Sequence, residues 1–151
     1  MDGSLITDEV RTLVGMSTEP VRITLTREVV QQAMHSVTGA DEGAPEAGEP
    51  AGAAAMAALE GAIAPLQTPR ILPNGMVISN EWSVERPLLV GEAFECVRRV
   101  VDVSERLGGR FGHCLYIRVE AEIRDLKGVV AARCGTTSIQ FDPANERGRE
   151  D

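Results

Sequence analysis

The sequence predicts an α+β domain in which an antiparallel sheet curls round a helix, and three observations predict it. Its 151 residues suit one domain with one core. A single helical segment near residue 30 carries signals at both ends. From about residue 76 the apolar pattern changes to a period of two and keeps it almost to the end. Hydrophobic residues make up 43% of the chain, but there are only three Phe, one Trp and one Tyr, so the core must be largely aliphatic.

Residues 4–15 read as a short helix, with Thr7 as cap, Asp8 and Glu9 in the electropositive first turn and Gly15 as the stop. Residues 21–25 (VRITL) alternate and read as a strand. The next helix runs from Thr26 as cap to Gly39 as stop, with Val30, Ala33, Met34 and Val37 on one apolar stripe. The stretch from 40 to about 55 is acidic, rich in Gly, Pro and Ala and poor in packing groups, and is expected to be mobile. Residues 53–63 are Ala-rich and suit one or two helical turns against the body.

Four strands follow, at 76–86, 92–104, 112–125 and 128–141. Turns fall at Leu107-Gly108-Gly109 and at Asp125-Leu126-Lys127-Gly128. The third strand is the clearest. Leu115, Ile117, Val119, Ala121 and Ile123 share one face, and Tyr116, Arg118, Glu120, Glu122 and Arg124 share the other. Residues 142–151 read as a charged, disordered tail, which leaves 1–141 as the domain. A helix followed by an antiparallel meander packs well if the sheet wraps the helix at 26–38, the hot-dog arrangement. Periodicity alone leaves other α+β sandwiches open.

The formal net charge of -8 excludes a nucleic-acid partner, which needs a dense Lys/Arg surface, and it disfavours an anionic membrane. The bases are fourteen Arg and the single Lys127. Cys96, Cys114 and Cys134 lack metal-type spacing and are odd in number, so neither a metal site nor a disulfide framework is expected. A reducing cytoplasm is the expected compartment. The segment MDGSLITDEV has acids where a secretion signal would carry bases, and no apolar run approaches the roughly 20 residues of a membrane span.

The stretch Asn80-Glu81-Trp82-Ser83-Val84-Glu85-Arg86-Pro87-Leu88, followed by Val90-Gly91-Glu92, resembles the NEW-x-x-x-RP…GD segment of MaoC-like acyl dehydratases. More narrowly, it is similar to the N-terminal-type, non-catalytic hot-dog half of that family. The resemblance continues through residues 99–106, Gly109 to Gly112, the 116–122 strand, the turn from Asp125 to Ala131 and Thr137-Ser138-Ile139. Upstream it takes in Leu13-Val14-Gly15 and the 29–39 helix. It implies a hot-dog fold that pairs with another into one continuous sheet, around an acyl thioester of coenzyme A or of a carrier protein. It also implies hydration of a 2-enoyl thioester or the reverse dehydration, in a lipid, steroid or polyketide pathway, and no separate cofactor.

The chain departs from this pattern at the catalytic motif. The family's catalytic half carries D-x-N-P-x-H after its helix, whereas here the stretch reads Gly39-Ala40-Asp41-Glu42-Gly43-Ala44-Pro45-Glu46. Asp41 can be aligned with the acid, but no Asn-Pro or nearby His follows it. The segment from 64 to 80 is also short for the family.

Enoyl hydration needs a base, an acid and donors to the thioester oxygen. His35 lies away from the apolar stripe and reads as a solvated or interface residue. His113 opens a strand after a Gly-rich turn and reads as structural. Spacing gives neither a carboxylate partner, so no catalytic residues are assigned, and Asp41 and His113 are the candidates if the chain acts alone. Trp82, Arg86 and His35 are the candidates for contact with substrate or partner. Trp82 otherwise reads as a packing anchor and Arg86 as an ion-pair residue. The leading expectation is a non-catalytic subunit paired with a hydratase chain bearing D-x-N-P-x-H. The competitors are a homodimeric dehydratase or thioesterase with a divergent site, and an acyl-thioester-binding module.

Overall fold

The computed structural model describes residues 3–145. Five antiparallel strands form one sheet: β1 (Val21–Thr24), β2 (Asn74–Val84), β3 (Ala93–Arg106), β4 (Cys114–Asp125) and β5 (Val130–Phe141). Their order is β1-β3-β4-β5-β2, so the meander of β3 to β5 is flanked by a short edge strand and a long one. Three helices accompany them: α1 (Asp8–Arg11), α2 (Arg27–Thr38) and α3 (Ala53–Ala62). No described helix is long and apolar enough to cross a membrane.

The strands form where alternation placed them. In β4 the inward residues Leu115, Ile117, Ala121 and Ile123 are buried. The turn between β3 and β4 uses Gly108 and Gly109 at φ 93° and 69°, a region that disfavours side chains with a Cβ. In the turn between β4 and β5, Asp125 Oδ1 accepts from the backbone of Lys127 at 2.9 Å and of Val129 at 3.0 Å. Register shifts at Val77/Ser79 in β2 and Val100/Asp102 in β3 mark bulges, which bend a strand and increase its twist.

Helix α1 is shorter than the 4–15 reading. The Oγ of Ser4 and the N–H of Leu5 donate to the carboxylate of Glu105 in β3, which ties the entry to the sheet before the helix starts. Thr7 caps it, accepting from the N–H of Val10 at 3.2 Å. The chain then turns through Gly15, whose N–H donates to Val100 at 2.8 Å.

Helix α2 has the ends the sequence predicts, with Thr26 accepting from Val29 at 3.1 Å and Gly39 left-handed at φ 75°. Its packing differs from the expectation. Val30 and Ala33 are buried, but Val37 is 67% exposed, and every residue from His35 to Thr38 lies at the surface.

The enclosed helix is α3, not the helix at 26–38. From Ala54 to Glu60 no residue is exposed, and Ala55, Ala58 and Leu59 are buried. These residues share one core cluster with Val30 and Ala33 of α2 and with Phe94, Cys96, Ala121, Ile123, Ala131, Ala132 and Cys134 of the sheet. The physical reason is size. An alanine-rich helix takes little room, so α3 takes the central place in this cluster and α2 packs against it. It also makes more than the one or two turns expected, with ten residues.

The Gly/Pro/Ala-rich loop packs where the composition suggested nothing that could. Ala44 and Ala51 are buried. The N–H of Ala44 donates to Gln31 Oε1 at 2.9 Å, and the N–H of Gln31 Nε2 donates to the Ala40 carbonyl at 3.0 Å. The N–H groups of Gly48 and Ala51 donate to Val90 and Leu88 at 2.9 and 2.8 Å. Of the expected tail, Pro143–Asn145 forms a short 3-10 turn, and residues 146–151 lie outside the described residues.

Two substitutions separate the central helix from the flanking one. Leu59→Ala is expected to cost about 2–5 kcal/mol by creating a cavity, and Val37→Ala to stay within about 0.5 kcal/mol. Urea unfolding of both variants measures this, and equal losses would contradict the placement of α3.

Candidate functional site

The concave face of the sheet carries a transverse row that register fixes. Arg98 lies opposite Ala121, Ala121 opposite Cys134, and Cys134 opposite Trp82. The next row runs from Val100 to Val119, Thr136 and Asn80. Above these rows stands Glu60 of α3. Its Oε1 accepts from Asn80 Nδ2 at 2.7 Å, from Trp82 Nε1 at 3.2 Å and from the Cys134 thiol at 3.4 Å. The thiol also reaches Asn80 Oδ1 at 2.9 Å.

The electrostatics follow from this packing. Burial disfavours the charged form of Glu60, but hydrogen bonds from Asn80, Cys134 and Trp82, with the charge of Arg98, outweigh it and hold the carboxyl below its ordinary value. Burial and the neighbouring Glu60 push the Cys134 thiol up to about 11. Burial, with Glu95, does the same to Cys96, also to about 11. Neither is a thiolate near neutrality, so neither has the character of a nucleophile. Beside the rows lies a cavity of ≈160 Å³, lined by Leu66, Arg98, Val119, Cys134, Thr136 and Ser138 among others.

Trp82 is therefore a half-buried neighbour of Glu60 in the concave face. Arg86 sits at the rim and is engaged within the chain. Its two terminal nitrogens reach the two oxygens of Glu92 at 2.8 Å each, a second carboxylate, Asp125, lies 3.8 Å away, and the guanidinium stands 5.8 Å from the Phe94 ring centroid. The hydrogen bond from Arg86 holds Glu92 below its ordinary value.

The expectation that neither histidine has a carboxylate partner is overturned. His35 Nδ1 lies 2.8 Å from Asp41 Oδ1, because the left-handed Gly39 turns the chain back beside the last turn of α2. This pair opens on a cavity of ≈680 Å³, lined also by Arg27, Glu28, Gln31 and Glu42. Both side chains are open to solvent, at 59% and 84% exposure. The structure thus joins Asp41 to His35 and not to His113.

His113 lies elsewhere, its Nε2 2.6 Å from Glu105 Oε2. Glu105 also accepts from Ser4 and from the Leu5 backbone, and these bonds with that of His113 lower its pKa to about 2. All three of these contacts are structural, and the cluster fastens Ser4 and Leu5 to β3. Among the described residues no group of three or more metal-ligating side chains converges.

Sequence reasoning missed Glu60, Asn80 and Arg98. Arg98 was visible in principle, since Phe94, Cys96, Arg98 and Val100 share one phase of β3, and an arginine in an inward phase is anomalous.

These features define the hot-dog fold: a curled antiparallel sheet over a central helix, with a cavity between the concave face and the segment that follows α3. The solved structures agree. The chain is similar to the truncated HadBC (3R-hydroxyacyl-ACP dehydratase) complex from Mycobacterium tuberculosis, with TM-score 0.53 and 15% identity over 84% of this chain and 96% of that one. It is similar to a MaoC-like dehydratase from Rhodospirillum rubrum, with TM-score 0.56 and 12% identity over 85% and 92%. It is also similar to the ChsH1–ChsH2 complex from Mycobacterium tuberculosis, with TM-score 0.54 and 12% identity over 87% and 86%. At these identities the likeness establishes the fold. No family profile and no curated protein matches the chain in sequence.

The Glu105 cluster predicts a pH response. Its folded pKa is depressed, so its contribution to stability is present above the ordinary carboxylate range and fades as pH falls from about 4.5 toward about 2. Denaturation midpoints across that range are expected to fall more gently in Glu105→Gln than in the parent chain, and parallel curves would refute the assignment.

Proposed function

We propose that this chain is the non-catalytic hot-dog subunit of a two-chain enoyl-thioester hydratase, equivalently a 3-hydroxyacyl-thioester dehydratase. One observation carries the reading. The cleft on the concave face, where an acyl group would lie, has no histidine in its lining, and both histidine–carboxylate pairs of the described residues lie outside it. A partner chain with a D-x-N-P-x-H motif would supply the acid and base. This chain would complete the sheet, bound the acyl tunnel and hold part of the coenzyme A or carrier-protein thioester.

The open edge supports the pairing. β2 is an eleven-residue edge strand on which Met76, Val77, Ile78 and Val84 are exposed. Long apolar edges of this kind pair with another chain unless blocked. The resemblance at Asn80 to Glu92 and the neighbouring complexes HadBC and ChsH1–ChsH2 point in the same direction. A lipid, steroid or polyketide pathway in the cytoplasm fits such a subunit.

A second reading has its own observation. The His35–Asp41 pair opens on the cavity of ≈680 Å³ and occupies the place after α2 where the family's catalytic motif stands. A homodimer covering it would be a dehydratase with a divergent dyad.

The two readings separate by activity. The isolated chain is expected not to hydrate a short 2-enoyl-CoA above background, and to do so when co-purified with a D-x-N-P-x-H hot-dog chain. In that mixture His35→Ala and Asp41→Asn are expected to leave the rate within about twofold. A general acid–base pair contributes about 10²–10⁴-fold, so a loss of that size, or turnover by the chain alone, would establish the second reading instead.

A further inference from the structure

We infer that the concave cleft recognises a carboxylate on a short apolar stem through Arg98. Taken with the thioester reading, on which this step rests, the acyl group handled here ends in a carboxylate rather than in a plain alkyl chain.

The argument begins with an arginine in the wrong place. Residues Phe94, Cys96 and Val100 in the same phase of β3 are all fully buried. Arg98 between them sends a charged side chain into the same space, and its Nε is buried without a protein hydrogen-bond partner. No described ion pair engages the guanidinium. Its charge is felt by Glu60, yet it forms no salt bridge with that residue. The Oε1 of Glu60 is occupied by Asn80, Trp82 and Cys134.

The backbone holds Arg98 firmly on both sides. Its N–H donates to Thr18 Oγ1 at 3.0 Å and its carbonyl accepts from Thr18 N–H at 2.9 Å, while the other side pairs with β4 at Ala121. A side chain so anchored does not leave the cleft by strand motion. A buried donor without a partner is costly unless a ligand completes it.

The lining says which ligand. Nε and an adjacent terminal nitrogen of a guanidinium form a planar two-donor fork that matches the two oxygens of a carboxylate. Thr68 and Ser138, which carry hydroxyls able to donate, line the same cavity, and Leu66, Val77 and Val119 offer an apolar wall for methylenes. The volume of ≈160 Å³ limits the guest. A cavity of about 150 Å³ takes a benzene, so this one takes about six non-hydrogen atoms, a carboxylate with two or three carbons behind it.

Two probes test the site itself. With ¹⁵N-arginine-labelled full chain, the Nε–H signal of Arg98 is assigned by its loss in Arg98→Lys. Butyrate is expected to shift that signal saturably, and butyramide, of the same shape but uncharged, to leave it in place. Arg98→Met, which keeps the stem, is expected to abolish butyrate binding read at the Thr136 and Ser138 amides. No shift with butyrate, or an equal shift with butyramide, would overturn the inference.

Calorimetry with coenzyme A esters then separates this inference from the reading beneath it. Succinyl-CoA is expected to bind at least about tenfold more tightly than butyryl-CoA, and Arg98→Met to erase the difference. Equal binding of the two esters would sink the carboxylate end while leaving thioester binding intact. A butyrate response without binding of either ester would keep the carboxylate site and remove the thioester reading.

Discussion

The structure depends on the buried core that the sheet shares with α3. Ala55, Ala58 and Leu59 put small or non-β-branched groups under the concave face, and the sheet packs on them with Phe94, Cys96, Ile123 and Ala132. Space there is set by the helix, so the inward phase of every strand must be small or apolar wherever α3 lies beneath it. The polar exceptions fall together. Asn80, Trp82 and Cys134 gather round Glu60, and Arg98 stands at the other end of the Trp82–Cys134 row. A carboxylate in that position is tolerable because three donors meet one of its oxygens, and the arginine is tolerable because a cavity opens beside it.

The outer face and the rim solve a different problem. There arginine outnumbers lysine, and its fork ties together segments that packing does not reach. Arg86 bridges Glu92 and Asp125, joining the loop after β2 to the end of β4. Arg118 lies over Gly135 on β5, where any Cβ would meet its guanidinium, and reaches Glu81 on β2 at 2.6 Å. These contacts cross three strands and fix the long edge strand against the meander. The exposed side chains on that edge include Met76, Val77, Ile78 and Val84, so the edge is held in place without being blocked.

What the sequence revealed followed from periodicity and chain ends. The four late strands, the VRITL strand and both caps of α2 were legible because alternation and capping are local properties. The central helix was not. Residues 53–62 are nearly uniform alanine, so they show no stripe, and amphipathicity picked out α2 in their place. A helix apolar all round is itself a sign of burial, and that signal outranked the stripe. The histidine partners were hidden to different degrees. His113 faces Glu105 because the β3–β4 hairpin sets Cys114 opposite Arg106, which the turn at Gly108-Gly109 could have disclosed. The His35–Asp41 contact depends on how the chain leaves Gly39, which no pattern of residues specifies.

The geometry of α2 bears directly on where water could be activated. Val30 and Ala33 face the core, and a helix turns about 100° per residue, so His35 points about 140° away from Val30 and about 200° away from Ala33. No rotamer change brings its imidazole through the helix into the concave cleft, which lies on the far side of the core layer. A thioester seated over the sheet would therefore have to take its proton-transfer groups from another polypeptide. A thioester served by His35 and Asp41 would have to lie outside α2, in a crevice closed only by a second subunit. Either arrangement would need a second subunit, and the exposed edge of β2 is a place where one has room to join.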